Sequence, residues 1–500
     1  MAILIENATV LTMAPGSGTR PIESSILIED GSIAEVGTDL TARPGDTVIS
    51  GRDRLVVPGF VNGHTHSWEA LFRGRYDNLP LELWMLLAYP IIGSAPLPPD
   101  LIRLRTLLVA IESLKSGVTC LVDDVLETPA QDHDQLAAVF DAYAEAGIRA
   151  NISGHIINRP FTDTLPYTEG TVPRQLIEQV RALPLPTARD YMDFSAEAFQ
   201  RFDGAAQGRL RYMVAPSGPQ RCTDDLLAET AELARRHSAQ CHIHVLETKT
   251  QMVTGREFYG TTMVEHLHRL GALGHNTTLA HGIWVTNKDI DLLAETRTSV
   301  SHNPISNLKL GSGIAPWRAF HNAGVNVALG SDGMSSSDSA RMLDVIKAAG
   351  LLHKVSTPDH TAWPTTEEVL SAATLGGARS ALLEDKIGSV EEGKRADLVM
   401  YDTTTLAFTP RNELDRHLVY AENGSSIDMV MVDGEIVVDK GQVTSVNEEQ
   451  ILAEVRDRTG EIQEWQRRVE TRNQVFHPGF EAVYRRCAAE PMGINRYAEN

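Results

Sequence analysis

The stretch that decides the fold reads Leu55-Val56-Val57-Pro58-Gly59-Phe60-Val61-Asn62-Gly63-His64-Thr65-His66. Its apolar run predicts a buried strand that ends in a turn. Residues at i and i+2 on a strand end face the same side, so both imidazoles can reach one metal ion. A His-x-His pair also arises by chance, and its meaning therefore depends on the rest of the chain.

Seven further apolar segments follow, and helical segments such as 224–237 and 261–270 lie between them. The candidate strands are 118–122, 150–153, 210–214, 240–245, 277–280, 298–301 and 325–329. Eight strands that alternate with helices predict an α/β fold, a parallel (β/α)8 barrel of the TIM type. A doubly wound open sheet is the alternative, but no G-x-G-x-x-G motif follows a strand to support it.

Strand-rich segments at both chain ends predict a second, smaller domain. Short apolar runs flank the turn Glu29-Asp30-Gly31, and a later set is joined by Asp433-Gly434, a strong hairpin signal. Neither set buries a core alone, so we expect the two to pair into one small β-sandwich. The predicted domains are 1–58 and 388–445 for the sandwich, 59–387 for a metal-dependent barrel, and 446–500 for a C-terminal helical extension. We expect the tail after Phe476 to wrap a partner subunit.

The composition limits the partners of the chain. Its 500 residues include 45 Lys and Arg against 66 Asp and Glu, a net charge of −21 that argues against nucleic acid or an anionic membrane as partner. No stretch reaches the ~18 apolar residues of a membrane span, and the N-terminus lacks the basic segment of a signal peptide. We therefore expect a cytoplasmic protein with a small-molecule substrate, and a homo-oligomer, a dimer or larger.

Four predicted strand ends carry polar residues that suit one catalytic metal site, because catalytic groups of such barrels gather at the C-terminal ends of the strands. These residues are His64 and His66 at the first strand, His242, His244 and Glu247 at the fifth, His281 at the sixth and Asp332 at the eighth. Three histidines and one aspartate suit Zn²⁺ with a position left for water. His242 and His244 share one side of their strand, and we choose His244 because it lies nearer the strand end and Glu247.

Each of these residues has a structural reading when taken alone. Taken alone, His281 can be a buried core histidine whose hydrogen bonds are all satisfied. Asp332 can be a turn residue, and Glu247 can be a charge at a helix N-terminus. Signals at four ends of one barrel favour the catalytic reading, in which a cation lowers the pKa of water and a carboxylate such as Glu247 moves protons. His302 either lines the pocket or caps a turn.

With these motifs the chain resembles the amidohydrolase superfamily, in the branch of cytosine-deaminase-like and triazine-hydrolase-like aminohydrolases. The resemblance is carried by 58–66, 244–248, 279–282, 301–311, 330–333 and 388–399. It implies one divalent ion, Zn²⁺ first and Fe²⁺, Mn²⁺ or Co²⁺ as alternatives, held by His64, His66, His244 and Asp332. It also implies Glu247 as proton shuttle, His281 as the group that orients hydroxide or substrate, and Asp332 as acceptor of the proton from water. No lysine stands near 152–158, where binuclear members bridge two metals.

The segments 71–74, 79–84 and 306–310 resemble a subgroup that deaminates adenosine derivatives. That subgroup shows Pro-His-x-Pro-Tyr after the fourth strand, whereas this chain has Pro216-Ser217-Gly218-Pro219-Gln220. The acidic residue that serves the ribose soon after Pro90 is also missing, and both departures argue against ribose recognition.

Four residues are the candidates for contact with the substrate: Glu69, Trp84, Gln220 and His281. Glu69 can accept N–H bonds from a heterocycle, and Trp84 can stack on a ring. The structural alternatives are a helix-start charge for Glu69 and core packing for Trp84.

The sequence therefore predicts a hydrolase acting on C–N bonds other than peptide bonds. We expect a metal-dependent hydrolytic deaminase that releases ammonia from an amino-substituted nitrogen heterocycle of pterin, purine or triazine type. The alternatives are displacement of an alkylamine or halide or opening of a cyclic amide at the same site, and below these a 5'-modified adenosine deaminase. A scaffold that only holds metal has no need of Glu247 and His281, and the net charge of −21 argues against a nucleic-acid deaminase.

Overall fold

The structure is a computed structural model that describes residues 2–498, and its strands form two sheets. The mixed sheet contains β1 (Ile3–Val10), β2 (Ile22–Glu29), β3 (Ser32–Gly37), β4 (Thr47–Ser50), β5 (Arg54–Pro58), β15 (Leu398–Asp402), β16 (Ile427–Val432), β17 (Glu435–Asp439) and β18 (Gln442–Val443). The parallel sheet contains β6 (Phe60–His66), β7 (Val118–Asp123), β8 (Arg149–Ile156), β9 (Leu210–Pro216), β10 (Cys241–Val245), β11 (Thr277–His281), β12 (Ser299–His302), β13 (Val327–Leu329) and β14 (Asp332–Gly333).

Helices alternate with the parallel strands and extend beyond them to the C-terminus. They are α1 (Leu81–Ala88), α2 (Pro99–Lys115), α3 (His133–Ala146), α4 (Arg174–Arg181), α5 (Ala188–Phe202), α6 (Ala205–Gly208), α7 (Asp224–His237), α8 (Lys249–Tyr259), α9 (Met263–Arg269), α10 (Asn287–Thr296), α11 (Pro304–Lys309), α12 (Trp317–Ala323), α13 (Met342–Leu352), α14 (Thr366–Ser371), α15 (Gly377–Ser380), α16 (Leu414–Arg416), α17 (Glu448–Asp457), α18 (Thr459–Asn473) and α19 (His477–Ala489). Reciprocal capping boxes at Thr187, Thr286 and Thr365 fix where α5, α10 and α14 begin.

The parallel strands close into the predicted (β/α)8 barrel, and the open-sheet alternative is excluded. The eighth strand is interrupted: β13 pairs with β12, and after Gly330-Ser331 the chain resumes as β14, which pairs with β6. Asn62 bridges the gap, since its amide donates to Ser331 Oγ and its carbonyl accepts from Ser331 N. This closure sets Asp332 opposite Thr65, between the two histidines of the first strand.

The stretch Leu55 to His66 is not the single strand with a terminal turn that its apolar pattern predicts. It divides at Gly59 into β5 of the mixed sheet and β6 of the barrel, and β6 continues through both histidines. A Cβ at Gly59 would overlap the side chain of Thr119 on β7, so the crossing between the two sheets needs glycine. The histidines therefore project from within a rigid strand.

The small domain is built from both chain ends, as the sequence predicts. In the mixed sheet β15 pairs antiparallel with β5, and Asp433-Gly434 turns the chain from β16 into β17. Strand β4, which the sequence pattern did not reveal, pairs with β1. A second hydrophobic cluster that includes Ile5, Ile26 and Met431 fills this sheet's interior face.

The region 446–498 packs against its own barrel. Helix α18 holds the segment after β6 in place, because Glu470 pairs with Arg75 and Gln466 donates to the carbonyl of Leu71 at 2.7 Å. Phe476 and Phe480 join a hydrophobic cluster with α1. The extension thus supports the elements beside the barrel mouth from within one chain. Across residues 2–498, none of the helices combines the length and the apolar character that crossing a membrane requires.

A buried ion pair joins the two domains. The guanidinium of Arg149 on β8 donates twice to the carboxylate of Asp397 at 2.9 Å and once to Asp433 at 3.1 Å. The Arg149 and Asp397 side chains are 4% and 1% exposed. Replacing Arg149 with Met leaves the buried carboxylate of Asp397 without its cation, a loss that costs about 3–5 kcal/mol.

We therefore expect Arg149→Met to lower the free energy of unfolding by about 3–5 kcal/mol in urea denaturation. Arg189→Met is the matched control, since its pair with Asp193 is exposed, and we expect a change within about 0.5 kcal/mol. Equal changes for the two variants would contradict a stabilising role for the buried pair.

Candidate active site

A cavity lies at the C-terminal ends of the barrel strands. Its walls come from strand ends and from the segments that follow them, where the fold concentrates functional groups. The lining residues are His66, Glu69, Leu81, Trp84, Met85, Tyr89, Arg221, His244, Glu247, His281, Leu310, Asp332 and Ser336.

Three imidazoles and a carboxylate meet at the base of this cavity. Nε2 of His64 and Nε2 of His66 each lie 3.5 Å from Oδ1 of Asp332, and Nε2 of His244 lies 3.3 Å from Nε2 of His66. Nε2 of His281 lies 3.8 Å from Asp332 Oδ2. The structure therefore brings together all four predicted metal ligands, with His281 beside them.

Carbonyl oxygens fix the direction in which these imidazoles point their lone pairs. Nδ1 of His66 donates to the carbonyl of Asp124 at 2.7 Å, and Nδ1 of His244 donates to the carbonyl of Ser217 at 2.9 Å. A carbonyl can only accept, so both Nε2 atoms face each other without a proton when the rings are neutral. Two bare nitrogens at 3.3 Å need a cation between them. The donor set therefore fits a divalent metal ion.

The choice between the two histidines of β10 has a structural basis. Nε2 of His242 lies 2.8 Å from Nδ1 of His64, deeper in the barrel, while Nε2 of His64 is buried with no hydrogen-bond partner among the described residues. His242 thus orients His64, and His244 faces the cavity.

Burial and charge set the protonation of the cluster. Burial lowers the pKa of His64 to about 4 in spite of Asp332, and burial together with neighbouring imidazoles holds the pKa of His244 well below its ordinary value. Burial opposes ionisation of His66 as well, but nearby carboxylates, led by Glu69, outweigh it and raise its pKa to about 9. The site combines neutral ligands with carboxylates that attract a cation.

Three non-glycine residues at strand ends hold left-handed backbone conformations. Their φ angles are 54° at Leu246, 74° at His281 and 61° at Asp332. Each costs of order 1–3 kcal/mol, and such outliers persist where surrounding structure enforces them. The carbonyl of Leu246 accepts from both Ile283 and Trp284, which ties the end of β10 to that of β11. These turns direct Glu247, His281 and Asp332 into one space.

Glu247 is the carboxylate nearest to His281 within this cluster. Its Oε2 lies 3.6 Å from Nε2 of His281, and the side chain is buried. Burial, with the neighbouring Asp332 carboxylate, raises the pKa of Glu247 well above its usual range. A carboxyl group of this kind can carry a proton near neutral pH and pass it on.

Glu69 forms another part of the wall and is anchored at the end of the eighth strand. Its Oε2 accepts from the backbone and hydroxyl of Ser335 at 3.1 and 2.7 Å, while Oε1 is buried without a partner among residues 2–498. A Cβ at Gly333 would overlap this carboxylate. Burial raises the pKa of Glu69 to about 7.

The remaining candidates divide between the cavity and its surroundings. The Trp84 ring lines the cavity, and Gln220 does not, since its neighbour Arg221 faces the space instead. His302 is buried away from the cavity, 3.0 Å from His353. Tyr89 and Arg221 are lining residues that the sequence analysis missed, because a tyrosine or arginine in a loop carries no spacing signal.

Asp124, which supports the ligands from behind, was missed for the same reason. Its carboxylate accepts from Ser153 and lies 2.8 Å from Nδ1 of His155, while its backbone carbonyl orients His66. The signal that could have found it is its position two residues after the predicted second strand.

Comparison with known proteins now identifies the family. The model of the amidohydrolase family matches residues 55–437. The chain belongs to the amidohydrolase family. The match confirms the resemblance carried by the strand-end motifs, and the fold and this family together make the protein a hydrolase acting on C–N bonds other than peptide bonds.

Curated relatives extend over most of the chain. A 5'-deoxyadenosine deaminase of Methanosarcina acetivorans is 35% identical over 461 residues, 92% of this chain and 98% of that protein. A 5-methylthioadenosine/S-adenosylhomocysteine deaminase of Pelotomaculum thermopropionicum is 35% identical over 461 residues, 91% and 98% of the two chains.

Solved structures share the architecture. An adenosine deaminase from Xanthomonas campestris with bound zinc superimposes with a TM-score of 0.79 at 27% identity, over 94% of this chain and 98% of that one. A triazine hydrolase from Arthobacter aurescens gives a TM-score of 0.82 at 23% identity, over 92% and 99%, which shows the shared fold.

The close approach of Glu69 to the backbone gives a test of the cavity wall. We expect Gly333→Ala to lower the free energy of unfolding by about 1–3 kcal/mol, because the added methyl group displaces the Glu69 carboxylate from Ser335. Gly460→Ala is the control, since nothing lies within 4 Å of its added Cβ, and thermal unfolding should show little change. A Gly333→Ala protein as stable as Gly460→Ala would refute the packing described.

Proposed function

We propose that this protein is a metal-dependent hydrolytic deaminase that replaces the amino group of a nitrogen heterocycle, purine first, with oxygen. The observation that carries the proposal is the buried carboxyl of Glu247 beside Nε2 of His281, in the cavity that also holds the cluster of metal-ligand type. Holding an ion needs neither residue, whereas moving protons during hydrolysis needs both.

The proposed ligands are His64, His66, His244 and Asp332, whose donor atoms belong to overlapping groups with separations within 4.8 Å. A divalent ion bound there supplies Lewis acidity and a lowered pKa for water. Asp332 accepts a proton at its carboxylate. These side chains are held by the outer hydrogen bonds to Asp124, Ser217 and His242, so the ligand set is prearranged.

Glu247 and His281 act on the substrate in this proposal. Glu247 delivers a proton to the ring nitrogen next to the carbon under attack, since burial and the Asp332 carboxylate raise its pKa well above the usual range and so favour the protonated carboxyl. Nδ1 of His281 lies 2.9 Å from Oδ1 of Asn307 and donates to it, which leaves Nε2 to accept from the attacking water. The amino group leaves as ammonia after it takes up the proton that Asp332 accepted from the attacking water. Glu247 regains its proton from the new C–OH group as the carbonyl forms.

The names of the relatives favour one class of substrate. They are called deaminases of 5'-deoxyadenosine and methylthioadenosine, so 5'-modified adenosines, which the sequence alone placed last, become the first class to test. Free aminopurines, pterins and triazines remain in the proposed range because the motifs for ribose recognition differ. In all of them the amino group can donate to Glu69 Oε1, and Trp84 packs beside the ring.

We expect Glu247→Gln to lower kcat by about 10²–10⁴-fold while bound metal stays at the wild-type level, because the amide removes the proton shuttle and no ligand. Ammonia release and metal analysis on the same preparation check this. Glu229→Gln, on the exposed face of α7, is the control and should keep full activity. An active, metal-replete Glu247→Gln enzyme would rule out the assigned role.

An ammonia-release screen tests the function itself. With 5'-deoxyadenosine, methylthioadenosine, free aminopurines, pterins and aminotriazines, we expect release from at least one class by the metal-loaded protein. A chelator should abolish release and added Zn²⁺ should restore it, because the ligand set fits a divalent ion. Absence of ammonia from every class with metal present would refute the deaminase proposal.

A further inference from the structure

One buried cation in the cavity wall has no ionic partner. Arg221 is 6% exposed, and the acceptors of its guanidinium are the hydroxyl of Ser217 at 3.2 Å and the thioether of Met85 at 2.8 Å. Among residues 2–498, no carboxylate oxygen lies within 4.0 Å of this guanidinium, which is the longest N–O distance of a salt bridge. By contrast, the buried Arg149 on β8 pairs with two carboxylates.

Such an arrangement is costly for the empty protein. A guanidinium presents five N–H donors, and a hydroxyl and a thioether sulfur are weak substitutes for a carboxylate or carbonyl. Burial of a charge without a matching partner is unfavourable, which is why buried arginines are usually paired. Because Arg221 lines the cavity, a substrate can supply the missing acceptor.

The position of Arg221 says where on the substrate that acceptor lies. Arg221 follows β9, the fourth barrel strand, whereas Glu69 follows the first strand and is bonded to Ser335 after the eighth. In a closed eight-stranded barrel the fourth strand lies across from the eighth. The cavity therefore offers a hydrogen-bond acceptor, the unpartnered Oε1 of Glu69, on one side and donors on the other.

We propose that Arg221 is a specificity-determining residue that binds an acceptor oxygen of the substrate, a ring carbonyl or a carboxylate on its substituent, while Glu69 binds the N–H edge. The inference rests on the proposed deaminase function and narrows its substrate to oxygen-bearing heterocycles. Planar double donation suits either oxygen source, and lysine cannot reproduce it.

The test compares matched compounds that differ in one oxygen group. Guanine and 2-aminopurine differ by the ring carbonyl, and 9-carboxymethyladenine and 9-methyladenine differ by the carboxylate. We expect Arg221→Met to lower kcat/KM about 10- to 100-fold, mainly through KM, for the oxygen-bearing member of one pair, and to change its partner less than about threefold. Arg221→Lys should lie between the two, and Arg236→Met, on the exposed face of α7, should match wild type.

The pair of compounds that shows the selective loss identifies the oxygen that Arg221 binds, either the ring carbonyl or the carboxylate. Equal losses for both members of each pair, or no loss in either, would overturn the inference, since a structural role for Arg221 lowers activity on every compound alike. Metal content and thermal unfolding of each variant show whether the protein is intact.

A binding measurement separates this inference from the deaminase proposal. Binding can be measured by calorimetry, which requires no turnover. The compounds are xanthine and 2-oxopurine, which differ by one ring carbonyl, and the two adenine compounds. If no compound releases ammonia, the deaminase proposal fails. The inference about Arg221 is then decided by binding alone: it predicts that Arg221→Met selectively weakens binding of the oxygen-bearing member of a pair. Unchanged binding of every compound would refute it.

Discussion

Two nitrogen lone pairs that face each other are the constraint on which the catalytic end of this barrel depends. The backbone carbonyls of Asp124 and Ser217 take the protons of His66 and His244 on their outer sides, which leaves the inner nitrogens 3.3 Å apart. Repulsion between them is relieved by a positive charge at the centre, from a proton or a metal ion. Neighbouring carboxylates, led by Glu69, add to this attraction for a positive charge, since they raise the pKa of His66 to about 9 against the opposing effect of burial.

The rest of the architecture serves to hold that arrangement. Closure of the barrel through the interrupted eighth strand brings Asp332 to the first strand, and Asn62 ties the two together. The left-handed turns at His281 and Asp332 store backbone strain at the point where side chains must enter the cavity. The proposed ligands are therefore held in place by barrel closure and by these turns.

The sequence predicted the barrel, the two-ended small domain and the polar strand ends because each leaves a local pattern. Alternating apolar segments mark strands, and histidines spaced by two mark one face. It could not predict that the run from Leu55 to His66 divides at Gly59, since the cause is the side chain of Thr119 on another strand. The sequence also predicted Gln220 as a substrate contact, whereas Arg221 lines the cavity in the structure. The reason is that a short turn sets the direction in which each of these side chains points.

The C-terminal helices have a consequence for the order in which the protein is completed. Helix α18 supports the segment after β6, and Phe476 and Phe480 support the helix that carries Trp84. All of these supporting residues come from the last tenth of the chain. Because synthesis proceeds from the N-terminus, all the strand ends of the ion site leave the ribosome before these helices. The ion-binding half of the cavity can therefore form before the helices that support the substrate-facing wall have been synthesised.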